Sequence, residues 1–420
     1  LLLKILLMTF RKEFDYVILL LAIALVIVGI TMIYSAAFYN QSVFIKTAWL
    51  KQVNYAICGT FISLSLVYLP KKFFYGFSYP LYLISIVSLT AVLAWGTGDD
   101  AQRWLRIGPI QIQPSEFSKI AMLLLLARYL SDSSIEELNS LNGASKSFGI
   151  VTVPMILIVQ QPDLGTALSF AAPLLPMLYW AGMRKGYLFA IISPFISVVC
   201  SFEPLWLELT PYVFAFFIVI SSLTIQIALR NSFFTSSAIF FNLTAGLATV
   251  YLWDHFLRPY QKGRIMTFLD PESDRLGAGW NIIQSKIAIG SGGFLGKGFL
   301  GGTQTKFDFL PAAHTDFVFS VIGEELGYVG ALFIIIIFFV LIVRTLQIGQ
   351  LAKNRFHSLI AIGIASILTF HVFVNIGMTI GVMPVTGLPL PFISAGGSSL
   401  FANIVIIGLL LHIFANRHEY

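Results

Sequence analysis

Charge is what this chain has least of. Its 420 residues include 26 Lys and Arg and 20 Asp and Glu, 11% in all, against 57% hydrophobic residues and a mean hydropathy of +0.85. So little charge cannot cover a water-facing surface, which excludes an ordinary soluble globule and indicates a polytopic membrane protein. Cysteine is nearly absent. Cys58 and Cys200 lie in or beside apolar runs, which excludes a disulfide framework and predicts two small buried hydrophobes. No spacing of Cys, His and carboxylates matches a structural zinc site, and no Gly-Lys-Ser/Thr completes a P-loop. No repeat or low-complexity linker divides the chain, so one domain over 1–420 is expected. Met8 is a candidate initiator, and the apolar span from Tyr16 is too long for a signal peptide and reads as an anchor.

Apolar runs near 17–38, 52–69, 75–95, 116–130, 147–160, 165–182, 186–203, 211–229, 233–252, 316–343, 357–382 and 397–415 predict an all-α bundle of about 10–12 transmembrane segments. With the N-terminus inside, Arg11, Lys12, Lys71, Lys72, Arg128, Lys146, Arg184, Lys185, Arg230, Arg344, Lys353, Arg355 and Arg417 all fall in short inner loops. That pattern predicts cytoplasmic termini and an extracytoplasmic loop over about 253–315.

Against this oily background the polar stretches stand out. The longest begins Arg264-Ile-Met-Thr-Phe-Leu-Asp-Pro-Glu-Ser-Asp-Arg275, continues through the glycine-rich run 290–302 and ends at His314-Thr-Asp-Phe317. Its backbone and charges would go unsatisfied in a bilayer, so it belongs at or beyond one membrane face. Asp270, Glu272 and Asp274 read either as a solvated cluster on an irregular loop or as an acidic site bracketed by Arg258, Lys262, Arg264, Arg275, Lys286 and Lys297. Trp253 and Trp280 are aromatic faces on which a sugar can stack. His314, two residues from Asp316 at a span entrance, is read as orienting the loop.

A second stretch runs from Arg103-Trp-Leu-Arg106 to Gln113-Pro-Ser-Glu-Phe-Ser-Lys119. Ser115 is an expected N-cap, and Glu116 and Lys119 share a helix face, either as a local ion pair or as a pair facing a cavity. In Gln160-Gln-Pro-Asp-Leu-Gly-Thr-Ala167, Asp163 reads as a helix cap or a functional carboxylate. The Gly- and Pro-rich run 375–399 breaks a helix between two spans, as a re-entrant loop or a cavity wall. The isolated histidines, His371 among them, read as hydrogen-bonded or interfacial.

These stretches, with Gly279-Trp-Asn-Ile-Ile-Gln-Ser-Lys286, Leu310-Pro-Ala-Ala-His-Thr-Asp-Phe317 and Ser394-Ala-Gly-Gly-Ser-Ser399, resemble the SEDS family (shape, elongation, division and sporulation proteins) in order and over most of the chain. Leu269-Asp-Pro-Glu-Ser-Asp274 is similar to its elongation branch, since the division branch tends to carry an Asn-Pro-Trp form here. The resemblance implies a peptidoglycan glycosyltransferase that polymerises lipid II beside a class B penicillin-binding protein and other elongation-complex membrane proteins, with no nucleic acid partner. It places the family's essential aspartate on Asp274, its loop tryptophan on Trp104 and its cavity pair on Glu116 and Lys119. Two features depart from it: the family usually has about ten spans, leaving a surplus pair near 186–232, and Arg275 stands where proline often follows the aspartate.

The implied reaction inverts an α-linked donor to a β-linked product, so it calls for one carboxylate base, Asp274, and no covalent intermediate. The pyrophosphate leaving group needs cations rather than an acid. Arg264, Lys286, Arg103 and Arg106 are the candidates; a divalent cation is a conceivable addition, but no ligand set for a metal is apparent. Two other readings stay open, a lipid II flippase with Glu116, Lys119 and Asp163 along its path, and a scaffold for the crosslinking partner.

Overall fold

A bilayer offers the backbone no water to bond, so a spanning segment closes its hydrogen bonds internally as a helix. The computed structural model describes residues 14–418 apart from 41, 98–102, 109, 256–258, 276 and 278, and these are mostly helical. Met8 and Arg258 lie outside the described residues, and so does the side chain of Arg264. The main helices are α1 (Tyr16–Phe38), α2 (Ala48–Val67), α3 (Phe73–Trp95), α4 (Pro114–Asp132), α5 (Leu141–Gln160), α6 (Leu164–Ala171), α7 (Leu174–Trp180), α8 (Lys185–Cys200), α9 (Thr210–Leu229), α10 (Ser232–His255), α11 (Pro259–Leu269), α12 (Trp280–Gly292), α13 (Val318–Leu351), α14 (Arg355–Ile380) and α15 (Gly397–Ala415). A two-stranded hairpin, β1 (Leu105–Ile107) antiparallel to β2 (Ile110–Ile112), precedes α4.

Among the described residues, eight helical segments are long and apolar enough to cross a membrane, and α6–α7 and α8 are shorter apolar helices. The other expected segments are α2 and α4, which at 20 and 19 residues have the length but carry Lys51, and Glu116 and Lys119, respectively. The chain is an all-α polytopic membrane protein. Two expectations need correction. The region 253–315 is not an irregular loop throughout: it contains α11, a 3₁₀ turn at Pro271–Asp274 and α12. In α12, Ile282, Ser285 and Ala288 recur at helical spacing and are buried, which outweighs the glycines that follow. Cys58 is exposed and Cys200 half-buried; on a helix facing lipid an apolar thiol needs no protein cover.

Contacts divide the chain into two compact units, one comprising 1–133, 145–177 and 281–420, the other 134–144 and 178–280. In the first, α15 packs along α2, α14 against α13 and α4, α3 against α4, and α1 against α13. Small residues let the helices approach closely. A Cβ added at Gly408 of α15 would stand 2.7 Å from the Ser63 carbonyl oxygen and 2.8 Å from Ser63 Cα. Gly408→Leu should therefore destabilise the unit by about 1–3 kcal/mol or more, read as a lower midpoint of thermal unfolding in detergent. α13 is broken at Gly327 (φ 68°, ψ −167°), which sets the short arm 318–326 apart from the long one. In the second unit α8, α9 and α10 pack together around Asn242. Ser193 Oγ donates to Asn242 Oδ1 (3.0 Å), Asn242 Nδ2 donates to Ser221 Oγ (3.2 Å), and Ser197 Oγ donates to the Asn242 carbonyl (2.6 Å). These bonds tie the pair near 186–232 to α10.

Candidate active site

The hairpin delivers the chain to α4 with Pro114 at the first helical position, where its missing N–H costs nothing. Gln113 is therefore the N-cap, and Ser115, the expected cap, lies one residue inside the first turn. Glu116 and Lys119 follow on one face, 3% and 4% exposed, with Lys119 Nζ 3.0 Å from Glu116 Oε1. Lys119 Nζ also stands 3.4 Å from His371 Nε2 on α14, while His371 Nδ1 lies 3.3 Å from the Pro389 carbonyl. Nδ1–H donating to that carbonyl leaves Nε2 as the acceptor for the ammonium. His371 is thus hydrogen-bonded, but to the charged pair itself.

Asp163 caps α6, its Oδ1 accepting from Thr166 N–H at 3.1 Å. Its other oxygen pairs with Arg103 at 3.6 Å, and Arg103 also donates to the Pro162 carbonyl at 2.6 Å. Arg103 is thereby committed to the protein.

Beside this lies a cavity of about 530 Å³. α2 contributes Lys51, Gln52 and Tyr55, the hairpin region Trp104, Arg106 and Gln111, the approach to α13 His314 and Thr315, and the broken segment Ala395, Gly396, Gly397 and Ser398. Gln52 holds that segment in place, donating to the Ser394 carbonyl at 3.0 Å and accepting from Gly396 N–H at 3.3 Å. Lys51 and Arg106 bring positive charge, and among the described residues no carboxylate lines the space. α15 starts at its edge with Gly396 as N-cap and no side-chain cap, so the positive end of the helix faces the cavity. Burial pushes the His314 imidazole below its ordinary value, opposed in part by the Asp308 charge. The shift disfavours a third positive charge in the cavity. A separate apolar groove of about 470 Å³ is lined by Ile23 and Ile27 of α1, Ala56 and Phe61 of α2, and Ile404 and Ile407 of α15.

Sequence reasoning passed over Lys51 and two further carboxylates, Glu324 and Glu325. Both lie on the short arm of α13, 0% and 1% exposed. Glu324 Oε1 accepts from Lys297 Nζ (2.7 Å), Thr303 N–H (2.8 Å) and Thr303 Oγ1 (2.8 Å). Glu325 Oε1 accepts from Ser35 Oγ of α1 at 2.6 Å. The two acids fasten the glycine-rich segment and α1 to the arm that follows His314. The signal available was Glu-Glu inside an apolar run, which hydrocarbon does not tolerate unless the pair is buried in protein.

In the second unit the acidic cluster resolves into distinct roles. Asp270 Oδ1 accepts from Glu272 N–H at 3.1 Å and caps the 3₁₀ turn, and Glu272 pairs with Arg275. Asp274 ends the turn, exposed, its carbonyl accepting from Gly279 N–H at 3.0 Å. A Cβ at Gly277 would meet the Asp274 carboxylate at 2.4 Å, so the glycine leaves that side chain its space. Trp253 packs edge-on to Phe202 with its ring face 5.6 Å from Lys262 Nζ, and is occupied within the protein.

Of the residues singled out from sequence, Trp104, Arg106 and His314 share the cavity, Glu116 and Lys119 form one buried pair, and half-buried Arg103 pairs with buried Asp163. Lys286 of α12 does not line the cavity; its side chain lies over Gly381, where a Cβ would meet Lys286 Cε at 2.1 Å. Among the described residues no three or more His, Cys, Asp or Glu gather as a metal site.

A family model for FtsW, RodA and SpoVE, described as cell cycle proteins, matches residues 15–214 and 208–419. The chain is 35% identical to the peptidoglycan glycosyltransferase RodA of Treponema pallidum over 437 residues, covering 97% of this chain and 98% of that protein. It is 35% identical to the peptidoglycan glycosyltransferase MrdB of Escherichia coli K12 over 408 residues, covering 97% and 95%. Among solved structures, a chain of a peptidoglycan synthase complex that coordinates polymerization and crosslinking superposes with a TM-score of 0.71 at 30% identity, covering 97% of this chain and 99% of that one. Thermus thermophilus RodA shares the fold, with a TM-score of 0.62 at 23% identity over 97% and 98%. With the match running nearly end to end, the chain belongs to the FtsW/RodA/SpoVE family, the SEDS proteins.

Proposed function

We propose that this protein is a peptidoglycan glycosyltransferase that polymerises lipid II into glycan strands during cell elongation. The observation that carries the reading is a cationic cavity and an apolar groove that both draw their walls from α2 and α15. A substrate with an anionic head and a long hydrocarbon tail needs both, side by side, at a membrane face. Lys51, Arg106 and the N-terminal end of α15 hold the pyrophosphate, and their charge stabilises it as it leaves. Trp104 offers a face for a sugar ring. Asp274 is the base that removes the proton from the attacking 4-hydroxyl, a role taken from the motif it occupies. Arg103 and Asp163 brace the hairpin and the start of α6; Glu116, Lys119 and His371 set the packing of α4 against α14. Both termini are cytoplasmic and the cavity opens on the outer face, as the charge pattern of the loops predicts. The crosslinking partner is a class B penicillin-binding protein, in keeping with the synthase complex to which the chain is similar.

The cavity is tested by Lys51→Ala/Arg106→Ala. Each lost charge-assisted contact to the pyrophosphate removes about 1.5–3 kcal/mol, so kcat/KM for lipid II should fall at least a hundredfold, with unfolding temperature unchanged. Equal kcat/KM would remove the cavity from substrate binding. The buried Glu116–Lys119–His371 set favours a second reading, a flippase, since ionisable groups inside spans often mark a transport path. A flippase would move lipid II between leaflets without lengthening glycan in detergent.

A further inference from the structure

We infer that the first unit carries a second anion site, a phosphate-binding pocket at the opposite end of α2 and α15 from the cavity. It encloses about 300 Å³ among Lys71, Lys72, Tyr75, Asn354, His357 and Asn416. α15 begins at the cavity and ends at Asn416, its C-cap. Nineteen residues separate Gly397 from Asn416, roughly 28 Å at about 1.5 Å per residue. That is close to the ~30 Å hydrocarbon thickness of a bilayer, so the pocket sits at head-group depth on the other membrane face.

Its chemistry is that of an anion receptor. Among the described residues, two ammonium groups line it and no carboxylate does. The acids nearby are engaged: Asp132 accepts from Tyr75 Oη at 2.8 Å, and Asp15 pairs with Arg344 at 2.7 Å. Asn354 spends its Oδ1 capping α14, accepting from Phe356 and His357 N–H, which turns its NH₂ donor away from the helix. α3 begins at Lys72 with no side-chain cap, adding its positive end. In the wall is His357, 5% exposed, whose Nδ1 has no hydrogen-bond partner. The ring also bonds the Lys71 backbone, which leaves Nδ1 as an acceptor, so the ligand that completes the wall brings a hydroxyl beside its anion, as a glycerol phosphate head group does. Compact ammonium donors at a membrane face suit a phosphate. The pocket takes a head group and leaves any acyl chains outside. The phosphate is carried by an anionic phospholipid or by a soluble phosphate ester.

The test uses the full chain in detergent, stripped of lipid and titrated with phosphatidylglycerol, with diacylglycerol as the phosphate-free lipid and glycerol 3-phosphate as the soluble ester. Adducts are counted by native mass spectrometry and binding is followed by thermal shift. Wild type should bind one phosphatidylglycerol in preference to diacylglycerol. Lys71→Ala/Lys72→Ala should weaken that binding roughly thirtyfold, while Arg184→Ala/Lys185→Ala leaves it unchanged. Should the first double variant unfold early, Lys71→Gln/Lys72→Gln takes its place. Binding of glycerol 3-phosphate that is likewise lost in the variant would make a soluble ester the ligand; its failure to bind beside tight phosphatidylglycerol would make the lipid the ligand. Wild-type affinity of the variants for both phosphates overturns the site, as does equal binding of diacylglycerol or an equal loss in the Arg184/Lys185 control.

Discussion

Asp274→Asn should lower the rate of glycan polymerisation by about 10²- to 10⁴-fold, the usual contribution of a positioned general base. Asparagine keeps the shape that Gly277 accommodates and cannot take a proton at neutral pH. Folding, lipid II binding and association with the crosslinking partner should therefore be preserved. The loss should appear in kcat, with KM little changed, because the proton is transferred only in the transition state. A folded Asp274→Asn protein within threefold of wild type would end the assignment and move the search for a base to Glu116 or Asp163. A scaffold reading makes the opposite prediction, a silent substitution, since a scaffold has no use for a proton acceptor on that turn.

Lys119→Met should destabilise the first unit by about 3–5 kcal/mol, because it leaves the Glu116 carboxylate buried without its cation. The comparison is with Glu116→Gln/Lys119→Met, in which neither charge remains. A neutral pair of similar volume in the same place should recover most of the loss, so the double variant unfolds later than the single one. Thermal unfolding in detergent reads both. If Lys119→Met costs less than about 1 kcal/mol, the pair behaves as an exposed surface bridge, and its burial between α4 and α14 is not what it contributes. The large cost for one partner, with recovery in the pair, would mark Glu116 and Lys119 as holding packing in place rather than reacting.

What the sequence disclosed follows the range of the interactions. The spans were legible because apolar runs contrast sharply with the charged turns between them. The Glu116–Lys119 pair and the Asp163 cap were legible because each partner lies three residues away on the same turn of helix. What was hidden has partners far along the chain. Ser35 and Glu325 are 290 residues apart, and Lys119 and His371 are 252 apart, so nothing local announced either contact. Lys51 has no local signature of a site, and only folding brings it to the same cavity as Arg106 and Gly396. The neighbours of Trp253 and Lys286 were hidden for a related reason: Phe202 and Gly381 cannot be paired with them from spacing. The helix at Trp280–Gly292 was obscured by the glycines that terminate it.

The central claim is that the chain itself joins lipid II units. The measurement that tests it most directly is glycan-ladder formation from fluorescent lipid II by the purified protein with its class B partner, in detergent, with moenomycin present to silence class A synthases. A ladder from wild type that disappears with Asp274→Asn is the result expected. A folded, partner-bound wild-type protein that yields no ladder, yet moves lipid II across vesicles, would contradict the account and make the cavity part of a transport path.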